Sequence, residues 1–233
     1  MGEGWQLFKI IGIPLRIQPT WLFAVAIFTT LFQPRYAASV EPAALSWGLA
    51  LLTTLLLFTS VLLHELGHAL MALREGVKVV SITLFHLGGI ARVEKECPTA
   101  MGNLRIAAAG PLVSLTLALG MLLAAASLAT QQPQLTVLLT QVGLLNLMLG
   151  LFNLLPGLPL DGGLILKSLV WQASGSKKRG VEVASASGRV LATLMIVMGG
   201  VLLWQGAGMN GLLLMLIGWF GLGANRSESQ MLF

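Results

Sequence analysis

Six apolar stretches separated by short polar links dominate the pattern along the chain. They run roughly over residues 19–32, 47–73, 104–129, 135–160, 190–204 and 209–223. A helix crosses the hydrocarbon layer of a bilayer with about 20 apolar residues. Each stretch therefore reads as a membrane span, with the first and the last two short enough to sit where the bilayer thins. Two segments break the pattern. Residues 9–17 mix β-branched and apolar side chains around Gly12 and Pro14, and residues 78–93 are rich in Val, Ile, Thr and Phe with a turn signal at Gly88–Gly89. Both read as extended chain. Such backbone cannot face lipid unpaired, so it must pack on protein or line a wet cavity. The expected fold is an all-α polytopic membrane protein of about six transmembrane helices with a small membrane-associated β-hairpin or sheet.

Composition agrees with this. Of 233 residues 56% are hydrophobic and only 10% charged, where soluble domains carry about a quarter charged. The net charge of +5 would by itself admit a nucleic-acid partner, but the basic residues sort instead as topology signals. With the N-terminus placed in the cytoplasm, Lys9, Arg16, Arg74, Lys78, Arg92, Lys95 and Arg105 fall inside, as do Lys167, Lys177, Lys178, Arg179, Arg189 and Arg226. Only Arg35 falls outside. This asymmetry is the positive-inside rule, and it predicts both termini on the cytoplasmic side and no nucleic-acid role. Residues 177–179 read as a solvated cytoplasmic loop. No cleavable signal peptide is expected, since residues 1–9 include Glu3 and lack a long apolar core. The single cysteine, Cys97, excludes an internal disulfide framework and a Cys-rich metal knuckle.

Within the second span lies His64-Glu65-Leu66-Gly67-His68. Positions i and i+4 share one helix face, so both imidazoles can bind one Zn²⁺ at about 2.0–2.1 Å. Glu65 follows the first ligand and can act as general base on a water there. Three ionisable groups in one apolar span are costly, and such groups are functional candidates by default. Two histidines and a water leave one place for a third protein ligand. Asp161 is the only aspartate of the chain and the leading candidate. His64 lies ten residues, or about 15 Å of helix, before Arg74; Asp161 lies six residues before Lys167. Both then fall at similar depth in the cytoplasmic half of the membrane. Pro156 and Pro159 break the helix ahead of Asp161, and Gly162 and Gly163 are expected to loosen it afterwards. The other candidates, His86, Glu94, Glu96 and Cys97, sit in the loop between the second and third spans.

The HELGH helix, the later segment Asn153-Leu-Leu-Pro156-Gly-Leu-Pro159-Leu-Asp161-Gly-Gly163 and the polytopic setting together resemble the site-2 protease family, peptidase family M50, in its branch without a PDZ domain. The resemblance covers nearly the whole chain, from Gly12-Ile-Pro14 through the sixth span. It implies an intramembrane zinc metalloendopeptidase with one Zn²⁺ per chain, held by His64, His68 and Asp161, with Glu65 catalytic. Asn153 matches the family's asparagine, which is thought to stabilise the oxyanion or position substrate. Residues 87–92 resemble the family's membrane-associated β region. The implied partners are single-pass membrane protein substrates and the lipid bilayer, in a cell (plasma) membrane of a bacterium or archaeon. Residues 1–225 form the expected protease domain. Residues 226–233 read either as a chain end or as a truncated linker to a CBS-type regulatory module not present in this chain. The rival class is a membrane transporter or metal-ion channel with buried histidine ligands and broken helices, which would have no need of Glu65 between paired histidines. An inactive relative acting as a scaffold would have no need of the intact ligand set.

Overall fold

The computed structural model describes residues 4–38, 41–86 and 88–232; readings that touch Glu3, Leu87 and Phe233 lie outside them. The chain divides into two compact units, Met1–Glu96 with Ala109–Leu151, and Cys97–Ala108 with Phe152–Phe233.

The first unit opens with strands β1 (Trp5–Ile10) and β2 (Ile13–Ile17). Their two-residue turn places Ile11 and Gly12 at φ +52° and +79°, the left-handed pair that a tight hairpin requires. After helices α1 (Thr20–Ala37) and α2 (Ala43–Arg74) come β3 (Val79–Phe85) and β4 (Gly88–Val93). The two hairpins join through a parallel β2–β3 pairing, Leu15 opposite Ile82 and Ile17 opposite Leu84, giving one sheet in the order β1-β2-β3-β4. Both segments expected to be extended are therefore strands of a single four-stranded sheet.

Helix α3 (Ala100–Leu128) belongs to this unit from Ala109 onward, and α4 (Pro133–Asn153) as far as Leu151. Phe32 and Tyr36 of α1, Ala50 of α2, and Leu138 and Val142 of α4 make its apolar core. Buried hydroxyls are paired, as a low-dielectric interior demands. Tyr36 Oη lies 2.6 Å from Thr53 Oγ1, and Asn146 Nδ2 donates to Ser60 Oγ at 2.9 Å.

The second unit contains the 154–160 loop and helices α5 (Asp161–Ser174), α6 (Lys177–Trp204) and α7 (Gly208–Leu232). Glycines let α6 and α7 approach closely, with a Cβ on Gly199 or Gly211 meeting opposing backbone at 2.6 Å, the small-residue packing usual between membrane helices.

Five helices, α2, α3, α4, α6 and α7 as far as Arg226, are long and apolar enough to cross a membrane. The 32 residues of α2 make about 48 Å of helix, well beyond the hydrocarbon thickness of about 30 Å. Helix α1 falls outside that set because its last turn holds Gln33, Pro34 and Arg35. Leu112, Leu119 and Leu123 form an exposed stripe on α3, and Phe23, Met148, Val197 and Trp219 are also exposed. Apolar surface on this scale belongs against lipid. The protein is a multi-pass membrane protein.

Three expectations need correction. The fourth span ends at Asn153, not at residue 160, and Asp161 begins a separate helix. Hydropathy could not see this break because Leu154, Leu155, Leu158 and Leu160 carry the apolar signal across it. The fifth span starts earlier than residue 190. Residues 177–179 are the first turn of α6, with Ser176 at its N-cap accepting from the Arg179 amide, and not a loop. Gly162 and Gly163 do not loosen the chain; both are buried in the first turn of α5.

Candidate metal centre

His64 and His68 occupy successive turns of α2 in the first unit. Their Nε2 atoms lie 3.2 Å apart. Two nitrogens bound to one tetrahedral Zn²⁺ at about 2.0–2.1 Å stand roughly 3.3 Å from each other, so the pair has the bite that zinc takes. His64 Nδ1 lies 2.9 Å from Ser114 Oγ of α3. That partner occupies one ring nitrogen and leaves Nε2 for a ligand's role, the usual second contact of a metal-binding histidine. Both His64 and Ser114 are buried.

The space in front of the imidazoles is shaped by the absence of a side chain. A Cβ added at Gly110 of α3 would run into His68 Nε2 and come within 2.7 Å of His64 Nε2. Gly110 is thus a cradle wall that only glycine can form. The donor set and the cradle together fit zinc.

Glu65 points from α2 to the sheet. Its Oε2 accepts the Ala91 amide at 2.9 Å, and its Cγ would lie 2.6 Å from a Cβ on Gly89. Strand β4 is an edge strand. The Ala91 N–H is directed at Glu65 and not into the ladder with β3. A carboxylate is thereby held against the outer edge of a strand, one residue along the helix from His64.

Asp161 and Asn153 lie in the second unit. Asn153 closes α4 and Asp161 opens α5, both half-buried. The seven residues between them fold back on the start of α5. A Cβ on Gly162 would strike the Leu154 and Leu155 carbonyls, and one on Gly163 would meet the Gly157 carbonyl at 2.6 Å. Gly162 and Gly163 therefore permit backbone-on-backbone contact between loop and helix.

Of the other ligand candidates, Glu94 forms an exposed ion pair with Lys78 at 3.3 Å, and Cys97 is buried with Sγ 3.7 Å from Thr99 Oγ1. Among the described residues His86, Glu94, Glu96 and Cys97 enter no cluster of three ligating side chains. Sequence reasoning missed Gly110 and Ser114. A hydroxyl and a glycine inside the apolar α3 were the available signal, and neither has a spacing that ties it to α2.

The pattern of peptidase family M50 matches residues 52–132 and 120–198. The chain belongs to peptidase family M50. A member provisionally named a zinc metalloprotease in Synechocystis sp. is 39% identical over 221 residues, which are 94% of this chain and 58% of that protein. A zinc metalloprotease of Methanocaldococcus jannaschii is 36% identical over 194 residues, 83% of this chain and 53% of its own length. The chain thus spans little more than half of the curated M50 relatives it matches. Among solved structures, the site-2 protease from M. jannaschii superposes with a TM-score of 0.64 at 32% identity, over 97% of this chain and 94% of that one. The M50 match covers α2 with its histidine pair and reaches through the 154–160 loop into α6. Zinc is the metal that both the donor set and the names of these relatives support.

Proposed function

We propose that the chain is an intramembrane zinc metalloprotease that hydrolyses peptide bonds in or near the transmembrane segments of single-pass membrane proteins. The observation that carries this reading is the His64–His68 pair at zinc-binding separation, with Glu65 on the next position of the same helix, bonded to the Ala91 amide of the edge strand β4.

Asp161 is the third ligand in this reading. It is the only aspartate, and its loop is held firmly enough to aim a carboxylate. Zinc bound by these residues would supply Lewis-acid chemistry at the scissile carbonyl. Glu65 takes the proton from the attacking water and returns it to the leaving amine. Ser114 keeps the His64 ring in register through Nδ1. Asn153 donates from its amide to the developing oxyanion or to the substrate backbone. A substrate helix must unwind before its carbonyls are accessible, and an unwound segment can add as a strand at the outer edge of β4. That edge delivers it to Glu65, which already bonds the Ala91 amide there.

The basic residues support a cytoplasmic placement of both termini and of the active site's half of the bilayer, in a plasma membrane. Residues 1–225 make up the protease domain in this reading. Helix α7 continues past residue 225 to Leu232.

The test is Glu65→Gln in the purified protein reconstituted with a membrane substrate. Bound zinc should stay at one per chain, while cleavage falls by about 10²–10⁴-fold, the range for losing a general acid–base group. Cleavage at the wild-type rate would remove Glu65 from the chemistry.

A further inference from the structure

Asn225 sits on α7 with no exposed surface. A buried amide is costly unless its polar atoms are met, and here every one is. Nδ2 donates to the Leu158 carbonyl at 2.9 Å and to the Ser185 carbonyl at 3.1 Å. Oδ1 accepts from Ser185 Oγ at 2.8 Å, and Arg189 Nη1 donates to that same hydroxyl at 2.9 Å. A leucine would fill nearly the same volume without needing the three hydrogen bonds that Asn225 makes.

The Leu158 carbonyl is the contact that gives this network a direction. Leu158 lies in the loop that has left α4 and not yet entered α5. Such a stretch has no ladder of its own; some of its amides bond locally, as Gly157 does to the Leu155 carbonyl, and the rest must be met from outside. The Leu158 amide donates to the Ala184 carbonyl at 3.3 Å. The Ser187 hydroxyl donates to the Pro156 carbonyl. Gly157 and Gly188 bring loop and α6 together so closely that a Cβ on Gly157 would lie 2.6 Å from Gly188 Cα. Helices α6 and α7 thus hold the loop, and the loop packs against the first turn of α5 through Gly162 and Gly163. Asp161 stands three residues after Leu158, in the same unit.

We infer that Asn225 is a positioning residue for the metal centre: by fixing the Leu158 carbonyl it sets the direction in which the Asp161 carboxylate is presented. The inference rests on Asp161 being the third zinc ligand, as proposed above. Asn225 itself touches neither metal nor substrate.

The experiment measures three quantities on the full chain in lipid nanodiscs: zinc affinity by chelator competition, the visible spectrum after Co²⁺ substitution, and the thermal midpoint of the metal-free protein. The variants are Asp161→Ala, Asn225→Leu, Ser185→Ala and Thr53→Val. Thr53→Val removes an equally buried hydroxyl bonded to Tyr36 in the first unit and controls for stability alone. Asn225→Leu should weaken zinc by about tenfold or more, the usual scale for a supporting contact, and shift the Co²⁺ bands. Ser185→Ala removes only the hydroxyl that orients the amide, and should move affinity the same way by a smaller factor. It keeps the test readable if Asn225→Leu fails to fold. Thr53→Val should lower the midpoint and leave zinc affinity and the Co²⁺ spectrum unchanged. If Asp161→Ala loses zinc while Asn225→Leu and Ser185→Ala bind it as wild type does, the positioning role is wrong and the ligand assignment stands. If Asp161→Ala holds zinc at wild-type affinity, the ligand assignment falls and the inference with it.

Discussion

On α2, the helical repeat alone brings two imidazoles together on one side of the helix, their rings edge to face; four residues of separation are enough. In the second unit Asp161 follows seven residues with no helical ladder, a loop whose Pro156 and Leu158 are bonded to Ser187, Ala184 and Asn225. The first arrangement is local and set by the helix itself. The second is assembled from distant parts of the chain and depends on contacts that a single side chain can break. The difference teaches where each is vulnerable: the histidine pair to anything that enters its space, and the aspartate to anything that moves its loop.

The sharpest test of the first half is Gly110→Ala. The added methyl would collide with both imidazoles while leaving every ligand in place. Overpacking of this kind costs about 1–3 kcal/mol. If the whole cost falls on the bound state, zinc affinity drops by roughly ten- to a hundredfold. Isothermal titration with Zn²⁺ checks it, and an unchanged affinity would mean that the imidazoles move aside freely. Helix α3 should keep its helicity, since alanine favours helix over glycine.

A smaller and different effect is expected from Gly163→Ala. Here the new Cβ meets loop backbone, with Gly157 O at 2.6 Å, and backbone cannot rotate away as a side chain can. The strain, again about 1–3 kcal/mol, should appear chiefly as a thermal midpoint lower by a few degrees. Zinc affinity should fall by less than in Gly110→Ala, because the histidine pair is untouched. A midpoint equal to wild type would show that the loop is not tightly docked on α5.

The same contrast explains what could be read in advance. The closeness of the histidine pair was legible because two histidines stand four apart on one helix, while Asp161 was singled out only by rarity, as the one aspartate in the chain. The strands were legible because β-branched residues cluster there, but the Ile11–Gly12 turn that splits the first segment into two strands was not. The end of α4 was not, since the leucines around Pro156 and Pro159 look as apolar as a span. The first turn of α6 was not, since three consecutive basic residues look like a loop until Ser176 is recognised as a cap. Gly110, Ser114 and Asn225 were out of reach for a common reason. Their importance is set by what they face across the fold, and neither hydropathy nor periodicity records that.

Ser114→Ala probes the weakest link of the local arrangement. It removes the hydroxyl at 2.9 Å from His64 Nδ1 and nothing else that touches the pair. The ring then loses the partner that fixes its rotation, but the helix still delivers it to the same place. Losing such a supporting contact weakens metal binding by about 10–100-fold in general. The lower end is expected here, because the i, i+4 geometry persists without it and the site is too closely packed at Gly110 for the ring to swing far. The measurement is zinc affinity by chelator competition. If Ser114→Ala costs more than Gly110→Ala, the histidine pair is held by its neighbour and not by its helix, and the contrast between the two units loses its basis.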